Sequence, residues 1–266
     1  MTYPVAAVRG GMFNQAAAAA AWSPTDLAAL EAWWDFSDAT ALWEDTGGTD
    51  AVDIDGDFIL RADDKSGNGY HVTEATNGPT YKTGIQNGLS IARFDGTDDS
   101  LFRTGISTLH MAGFTIAAVF NPVTSVTNDG VFSLALTGGT DWGSADGFNL
   151  SQGPTANKIK VERDSILSAA VTHNTNTWHI ALCRYGSTVK LYSDGGAPVT
   201  DATVTTTDLD PNRIMFSARM TAPESNWGEN DIGEIVMVSG ELDVTDSNLL
   251  GNYLADKWGL TWTDIS

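Results

Sequence analysis

Residues 178–193, WHIALCRYGSTVKLYS, are the stretch that decides the fold class of this chain. Two strongly apolar runs, Trp178–Tyr185 and Thr188–Ser193, lie on either side of the short polar connection Gly186-Ser187. A glycine-containing connection of this length between two such runs is typical of a β-hairpin. The segment therefore predicts two neighbouring antiparallel strands.

Similar short runs recur from about residue 57 to residue 238, each bounded by Gly, Asn, Asp or Pro. They are FILRA (58–62), LSIARF (89–94), FTIAAVF (114–120), VFSLAL (131–136), KIKVER (158–163), RIMFSA (213–218) and IGEIVMVS (232–239). Several alternate with a period of two. One face would carry Phe114, Ile116, Ala118 and Phe120, and another Ile232, Glu234, Val236 and Val238. Regularly spaced short strands predict a β-sandwich or barrel, with the Thr-rich segment 199–207 as an edge strand.

Two short helices are expected at the ends of this β-rich region. Ser23-Pro24-Thr25-Asp26 has the Ser cap, early Pro and early acid of a helix start, and we expect the helix to continue through Trp34. Near the C-terminus, 243–246 supplies an acidic cap and Gly259 a stop. A stripe of apolar residues lies between them: Leu249, Leu250, Tyr253, Leu254 and Trp258. Four tryptophans in regular elements are predicted to be core residues: Trp33, Trp34, Trp178 and Trp258.

Composition narrows the classes of partner. The chain has 266 residues, 34 acidic and 14 basic side chains, and a formal net charge of -20. This charge argues against nucleic acid and against anionic membranes as partners, because both require clustered Lys and Arg. No apolar run reaches the roughly 18 residues of a membrane span. The single Cys183 excludes an internal disulfide and is expected to be a buried small hydrophobe.

Residues 1–22 differ from the rest and are interpreted as an N-terminal arm preceding one domain, 23–266. A signal peptide would carry a basic start and a continuous apolar stretch, whereas this segment has only Arg9 and is interrupted by Gly10-Gly11 and Asn14-Gln15. An Ala/Gly-rich arm cannot order itself, so it either packs on its own domain or docks on another subunit. We favour docking. The candidate attachment residues are Tyr3, Val8, Arg9, Met12 and Phe13.

Five segments together are more specific than periodicity. They are Leu30–Leu42, Asp64–His71 (DKSGNGYH), Arg93–Leu101 (RFDGTDDSL), Trp178–Gly195 and Ile232–Leu260, which ends in NYLADKWGL. In combination they resemble the laminin-G-like branch of the concanavalin A-like lectin/glucanase superfamily, over about residues 22–262. The resemblance implies an all-β jelly roll of two antiparallel sheets packed face to face. It also implies a non-catalytic binding module, often for glycans, of the kind found in secreted bacterial proteins and tailed-phage virion proteins.

Catalytic signals are weak in this sequence. The glucanases of this superfamily place acids at alternate positions of one strand, and the nearest equivalent here is Glu162-Arg163-Asp164, which lacks a third acid. The sequence contains no G-x-S-x-G, H-E-x-x-H or P-loop motif. Its histidines, His71, His110, His173 and His179, show no ligand spacing. These observations predict a protein that is not an enzyme, with glycoside hydrolysis as the weakest alternative.

A calcium ion is one alternative for the acidic segment 53–64. Asp53, Asp55 and Asp57, with Asp64 eleven residues after the first, imitate positions of an EF-hand loop. Phe58, however, occupies the position that requires Gly, and Asp64 replaces the bidentate Glu. A solvated acidic hairpin is the interpretation we favour, and the metal ligands stay unassigned.

Two loops place a Trp-Gly pair among short polar residues, 138–147 (GGTDWGSADG) and 225–231 (SNWGEND). An exposed indole beside Asp, Asn or Glu side chains is the form that sugar sites commonly take. Alternatively, each Trp anchors a protein interface or closes the end of the sandwich. The first candidate set is Trp142, Asp141, Asp146 and Asn149. The second is Trp227, Asn226, Glu229 and Asn230.

These features together predict a structural or display protein on the surface of a phage virion, as capsid decoration, head fibre or tail component. Its arm would contact other virion proteins, and its loops would bind glycans on host or environmental surfaces. Homo-oligomerisation is compatible with this placement. The main alternative is a secreted or cell-surface bacterial module for carbohydrate binding and adhesion.

Overall fold

The structure is a computed structural model that describes residues 22–106, 109–153, 155–221 and 223–266. The predicted arm, except Trp22, lies outside these residues, and its attachment role stays a prediction. Within them the chain forms seventeen strands, one α-helix and two short 3₁₀ helices, Pro24–Asp26 and Ala39–Ala41. The elements are β1 Leu30–Asp35, β2 Leu42–Trp43, β3 Arg61–Ala62, β4 Val72–Thr73, β5 Thr80–Gln86, β6 Leu89–Arg93, β7 Leu101–Thr104, β8 Phe114–Pro122, β9 Gly130–Ala135, β10 Phe148–Gln152, β11 Lys158–Arg163, β12 Ile166–Thr172, β13 His179–Tyr185, β14 Val189–Ser193, β15 Val199–Asp201, β16 Arg213–Phe216, β17 Asn230–Ser239 and α1 Val244–Trp258.

The strands form two antiparallel sheets. Sheet 1 has eight strands in the order β15-β14-β13-β8-β17-β6-β5, with β1 also paired to β17. Sheet 2 has nine strands in the order β12-β11-β10-β9-β16-β7-β4-β3-β2. The hairpin predicted at 178–193 is β13–β14, with Tyr185 opposite Val189. The prediction of an all-β, two-sheet antiparallel sandwich with a C-terminal helix is confirmed.

The main core lies between the two sheets. Sheet 1 contributes the face predicted for β8, since Phe114, Ile116, Ala118 and Phe120 are all buried there. Sheet 2 contributes alternate residues of its central strands, among them Phe132, Leu134, Phe148, Leu150, Ile214 and Phe216. Alternation places the intervening residues on the outer faces of the sheets.

The outer faces of the two sheets differ. Helix α1 packs on the outer face of sheet 1, where a second buried cluster includes Val119, Val236, Leu250, Leu254 and Trp258. The outer face of sheet 2 receives no helix from the described part of the chain. It carries polar side chains from β9, β10 and β11, and we refer to it as the open face.

Three sequence-based expectations require correction. The helix expected from Ser23 to Trp34 ends after one turn, and Leu30–Trp34 belongs to β1, since hydrogen bonding to β17 outweighs the weak local helix signal. Ile232 faces the main core, whereas Glu234 and Val236 face α1, because a bulge between Ile232 and Glu234 reverses the alternation. The edge strand expected over 199–207 is only Val199–Asp201.

Gly233 in this bulge meets a close neighbour. A Cβ placed there would lie 2.7 Å from the indole of Trp258, so only glycine lets the C-terminal helix pack directly on β17.

Of the tryptophans predicted to be core residues, Trp33, Trp34 and Trp258 are buried, and Trp178 is partly buried and stacks on Trp258 at 5.9 Å. Cys183 is buried as expected. No described helix is long and apolar enough to cross a membrane.

A buried carboxylate connects β1, β17 and α1. Glu234 is fully buried, and its Oε1 accepts hydrogen bonds from the indole of Trp33 at 2.6 Å and from the hydroxyl of Tyr253 at 3.1 Å. Its Oε2 accepts from Lys257 Nζ at 2.7 Å and from Trp258 Nε1 at 2.8 Å. Four donors thus satisfy a group whose burial would otherwise be very costly.

Lys257 also binds a second acid. Its Nζ lies 2.7 Å from Asp35 Oδ1, and Lys65 Nζ lies 2.9 Å from Asp35 Oδ2. Burial alone would raise the pKa of Asp35, but the two lysines hold it below its usual value. Burial, together with the nearby charge of Asp35, raises the pKa of Glu234. Lys257 is therefore the cation that offsets the cost of burying both acids.

We expect Lys257→Met to lower the free energy of unfolding by about 3–5 kcal/mol, since it leaves a buried carboxylate without its cation. The loss should be smaller at pH 5 than at pH 8, because a raised pKa lets Glu234 take up a proton as the pH falls. Urea denaturation at both pH values measures this. The control is Lys190→Met, which breaks a partly exposed pair with Glu241 of 3.3 Å and should cost below about 1 kcal/mol. Equal losses in the two variants would contradict the assignment.

Candidate functional site

The open face is built on a buried ion pair. Arg219 donates from Nε to Asp141 Oδ2 at 2.8 Å and from Nη2 to Asp141 Oδ1 at 2.9 Å, and Asp141 is fully buried. The hydroxyl of Ser133 and the backbone N–H of Met220 also donate to Asp141 Oδ2, both at 2.9 Å. Burial raises the pKa of Asp141, and Arg219 opposes the shift. The pair fixes Arg219 above β9.

Residues 217–221 and 223–228 lie on the open face and return toward β9. The N–H of Ser217 donates to Val131 O at 3.0 Å, and the N–H of Gly228 donates to Ser217 O at 2.6 Å. Between them, Arg219 and Ser225 exchange backbone hydrogen bonds as an antiparallel pair, and we call the chain closed by this pair the 219–225 hairpin. A Cβ at Gly228 would lie 2.3 Å from Gly130 O, so the hairpin can lie this close to β9 only because residue 228 is glycine.

A pocket of about 300 Å³ lies on one side of this hairpin. We call it the Trp142 pocket; its lining residues are Asn128, Trp142, Glu162, Arg219, Thr221 and Asn226. The indole of Trp142 is 42% exposed, which is unusual for so large an apolar group. The pocket therefore combines an accessible aromatic surface with side-chain amides, a hydroxyl and a carboxylate.

Glu162 is the carboxylate of this pocket. Strand alternation in β11 directs Lys160 and Glu162 to the open face, and Lys160 Nζ lies 2.7 Å from Glu162 Oε2. Arg219 Nη2 approaches the same oxygen at 3.5 Å. Two almost fully buried cations thus contact Glu162 and orient it as a preorganised hydrogen-bond acceptor.

The other residues of the Glu162-Arg163-Asp164 run point elsewhere. Arg163 is buried on the opposite face and donates to the backbone oxygens of Ala145, Thr207 and Asp208. Asp164 lies in the turn after β11 with a positive φ of 52°. The run therefore supplies one carboxylate to the open face, and a second acid would have to come from another strand or loop.

The structure regroups the two sets of residues proposed for glycan binding, because each set is divided among different pockets and the protein interior. Trp142 and Asn226, one from each set, line the same pocket. Trp227 lines a different pocket on the other side of the hairpin, and Glu229 lines a third at the end of sheet 1. Their binding roles stay predictions.

The other residues of those sets serve the scaffold. Asp141, Asn149 and Asn230 are fully buried, and the amides of the last two donate to backbone oxygens of Asp141 and Gly130. Asp146 Oδ1 accepts from the backbone N–H of Asp210 at 3.3 Å. Sequence reasoning missed Asn128, Arg219 and Thr221. Alternation in KIKVER could have placed Lys160 and Glu162 on one face, but nothing local linked them to Trp142.

The EF-hand-like arrangement is not formed. Asp64 is buried in the DKSGNG turn, where its oxygens accept from the backbone N–H groups of Trp33, Ser66 and Tyr70. Gly67 and Gly69 in this turn have positive φ values of 94° and 78°, which glycine adopts without strain. Among the residues that the structure describes, two acidic groups come close enough to share a cation, Glu44–Asp53–Asp57 and Asp95–Asp98–Asp99. Calcium binding stays a prediction, now directed at these groups.

Comparison with known proteins gives the fold class. No protein-family model matches the sequence, and no curated protein matches it. Among solved structures, an arabinofuranosidase complexed with arabinofuranosyl-α-1,2-xylobiose is similar with a TM-score of 0.58 and 15% identity, over 76% of this chain and 51% of that chain. The Trypanosoma rangeli sialidase in complex with sialic acid gives 0.54 and 10%, over 88% and 34%. The botulinum neurotoxin serotype D ligand binding domain in complex with N-acetylneuraminic acid gives 0.52 and 15%, over 77% and 54%.

These similarities define a β-sandwich that occurs in glycosidases and in a toxin's ligand-binding domain. The chain spans about half the length of the arabinofuranosidase, and at such identities the likeness concerns the fold alone. The expectation that the chain is not an enzyme is wrong as an inference from the fold. The arabinofuranosidase and the sialidase are enzymes whose chains contain a similar β-sandwich, so this architecture gives no ground for excluding catalysis.

We expect Asp141→Asn to lower the free energy of unfolding by about 3 kcal/mol, because it leaves the guanidinium of Arg219 buried without its main anion. Urea denaturation measures the loss. Asp146→Asn, in the same loop, alters a single hydrogen bond and should cost about 1 kcal/mol or less. A loss in Asp141→Asn no greater than in this control would show that the ion pair does not support the open face.

Asp129 predicts a pH dependence. Burial and the charge of Glu229 raise its pKa to about 6. Between about pH 4 and pH 6, Asp129 therefore keeps its proton in the native state but has lost it in the unfolded state. Stability from this group is therefore lost as the pH rises through 6. Asp129→Asn should raise the free energy of unfolding by about 1 kcal/mol at pH 7.5 and leave it unchanged at pH 3.5.

Thermal denaturation at the two pH values measures the difference. Asp256→Asn, at an exposed position of α1, controls for the general benefit of removing one negative charge from an acidic protein. An equal gain at both pH values, or an equal gain in the control, would contradict the prediction.

Proposed function

We propose that this chain is a carbohydrate-binding β-sandwich and that its ligand, a neutral glycan, binds in the Trp142 pocket. The observation that carries the proposal is the accessible indole of Trp142 beside the fixed carboxylate of Glu162. A sugar ring presents an apolar C–H face and a rim of hydroxyl groups. The indole matches the first, while Glu162, Asn128 and Asn226 offer acceptors and donors for the second. The pocket is at the small end of the range of ligand sites, about 300–1,000 Å³.

Charge favours a neutral ligand. The net charge of -20 repels anionic sugars at a distance. Inside the pocket the nearby cations are already engaged, since Arg219 binds Asp141 and Lys160 binds Glu162. A sialic acid carboxylate would therefore meet no free positive charge among the residues that line the pocket.

The laminin-G-like relationship, the phage virion and the attachment arm remain our finer hypothesis for where this binding occurs. It is supported by the segments DKSGNGYH and NYLADKWGL and by the composition of residues 1–22. The bacterial cell surface is the alternative location. The proposed glycan binding does not depend on whether the protein lies on a virion or on a bacterial cell surface.

A panel of immobilised neutral oligosaccharides and sialylated glycans tests the proposal. We expect neutral glycans to bind and Trp142→Ala to weaken the binding by about tenfold, equivalent to about 1.4 kcal/mol. Glu162→Gln should weaken it less, since an amide still accepts a hydrogen bond. Phe58→Ala, which removes an exposed aromatic residue outside the pocket, is the matched control. Binding of sialylated glycans alone, or binding insensitive to Trp142, would refute the proposal.

The same mixtures should be assayed for release of reducing sugar. Glycoside hydrolysis normally uses two carboxylates, and Glu162 is the carboxylate that lines the Trp142 pocket. Release abolished by Glu162→Gln would add a hydrolytic role to the site. Binding without release would leave recognition as its role.

A further inference from the structure

A second pocket lies on the other side of the 219–225 hairpin. It has a volume of about 400 Å³, and we call it the Trp227 pocket. Its apolar lining is formed by Phe102, Met215 and Trp227, and its polar lining includes Asn77, Arg213 and Glu224. Nothing in the sequence-based analysis joined these residues into one site.

The two pockets contain the same kinds of group. Each has one indole, and each has a side-chain amide. Each also has a glutamate next to an arginine: Arg213 Nη2 lies 2.7 Å from Glu224 Oε1 in the Trp227 pocket, and Arg219 approaches Glu162 in the Trp142 pocket. Arg213 and Glu224 both line the Trp227 pocket, so this pocket also carries an ion pair in its wall.

The pockets share one sheet face and one backbone segment. Glu162 of the Trp142 pocket stands on β11, while Phe102 and Met215 of the Trp227 pocket stand on β7 and β16. The intervening strands are β10 and β9, and strands are about 4.8 Å apart. The pockets therefore lie roughly 10–20 Å apart along the open face. Asn226 and Trp227 are consecutive, and each lines one of the two pockets.

We propose that the Trp227 pocket is a second sugar subsite and that the ligand of this protein is a neutral oligosaccharide chain that crosses the 219–225 hairpin to occupy both pockets. This inference rests on the proposed glycan binding in the Trp142 pocket. A monosaccharide fills only one subsite. A chain of several sugar units reaches both and gains affinity from the second, because the second contact is made within the same complex.

The test measures affinity against chain length. Linear neutral oligosaccharides of one to six units, from the series that binds best in the panel, are titrated by calorimetry against the wild type, Trp142→Ala and Trp227→Ala. We expect wild-type affinity to rise by at least tenfold between the shortest and longest ligands. Trp227→Ala should remove this increase and change the affinity for the shortest ligand by less than about twofold. Trp142→Ala should weaken binding at every length.

Because Trp227 packs partly on Met215 and Met220, its removal could disturb the hairpin. Asn77→Ala is therefore a second variant, since among the described residues its amide donates to Asp98 alone, at 3.1 Å. It should lower affinity for the hexasaccharide by about threefold and leave the shortest ligand unaffected. Phe58→Ala again serves as the control.

The outcomes separate the two proposals. Binding that depends on Trp142 but does not increase with chain length overturns the second subsite and leaves the first proposal standing. Length-dependent binding that both Trp227→Ala and Asn77→Ala leave unchanged also overturns it. Absence of binding to any glycan overturns both proposals.

Discussion

The fully buried carboxylate of Glu234 is the constraint on which the rest of the structure depends. It needs donors from Trp33, Tyr253, Lys257 and Trp258, so it fixes the first strand and the last helix against the centre of sheet 1. With α1 held on that side, the outer face of sheet 1 is closed. The outer face of sheet 2, in contrast, carries the hairpin and its two pockets.

Much of this framework could be predicted from the sequence, and for physical reasons. The hairpin at 178–193 is local, as is the helix that ends at Gly259, and DKSGNG forms its turn from neighbouring residues. The segments that suggested a family resemblance turn out to carry Trp33, Asp35, Lys65, Glu234 and Lys257, the members of the buried polar network. Such residues stand out in sequence because few alternatives satisfy a buried charge.

The candidate site was predicted only in part, because its contacts join residues that are far apart in the chain. Trp142 was identified from its loop, but its pocket is completed by Arg219, which comes from a distant segment. Arg219 is held there by Asp141, the residue before Trp142. The bulge at Gly233 likewise follows from pairing with β8 and cannot be inferred from alternation within β17. Asp141 and Asn149 were proposed as ligands because polar side chains near an exposed indole are typical of sugar sites. Here both are buried: the Asp141 carboxylate binds Arg219, and the Asn149 amide donates to the backbone oxygen of Asp141.

The contact between Trp33 and Glu234 spans 201 positions of the chain, and this has a consequence for biosynthesis. During translation, β1 emerges early but cannot complete its partners until α1 has left the ribosome. Until Glu234 is in place, the indole N–H of Trp33 has only water or non-native neighbours. Closure by so distant a contact slows folding and extends the time during which apolar strands are exposed. The high density of negative charge, which keeps unfinished chains apart, then protects the protein while it is being made as well as after it has folded.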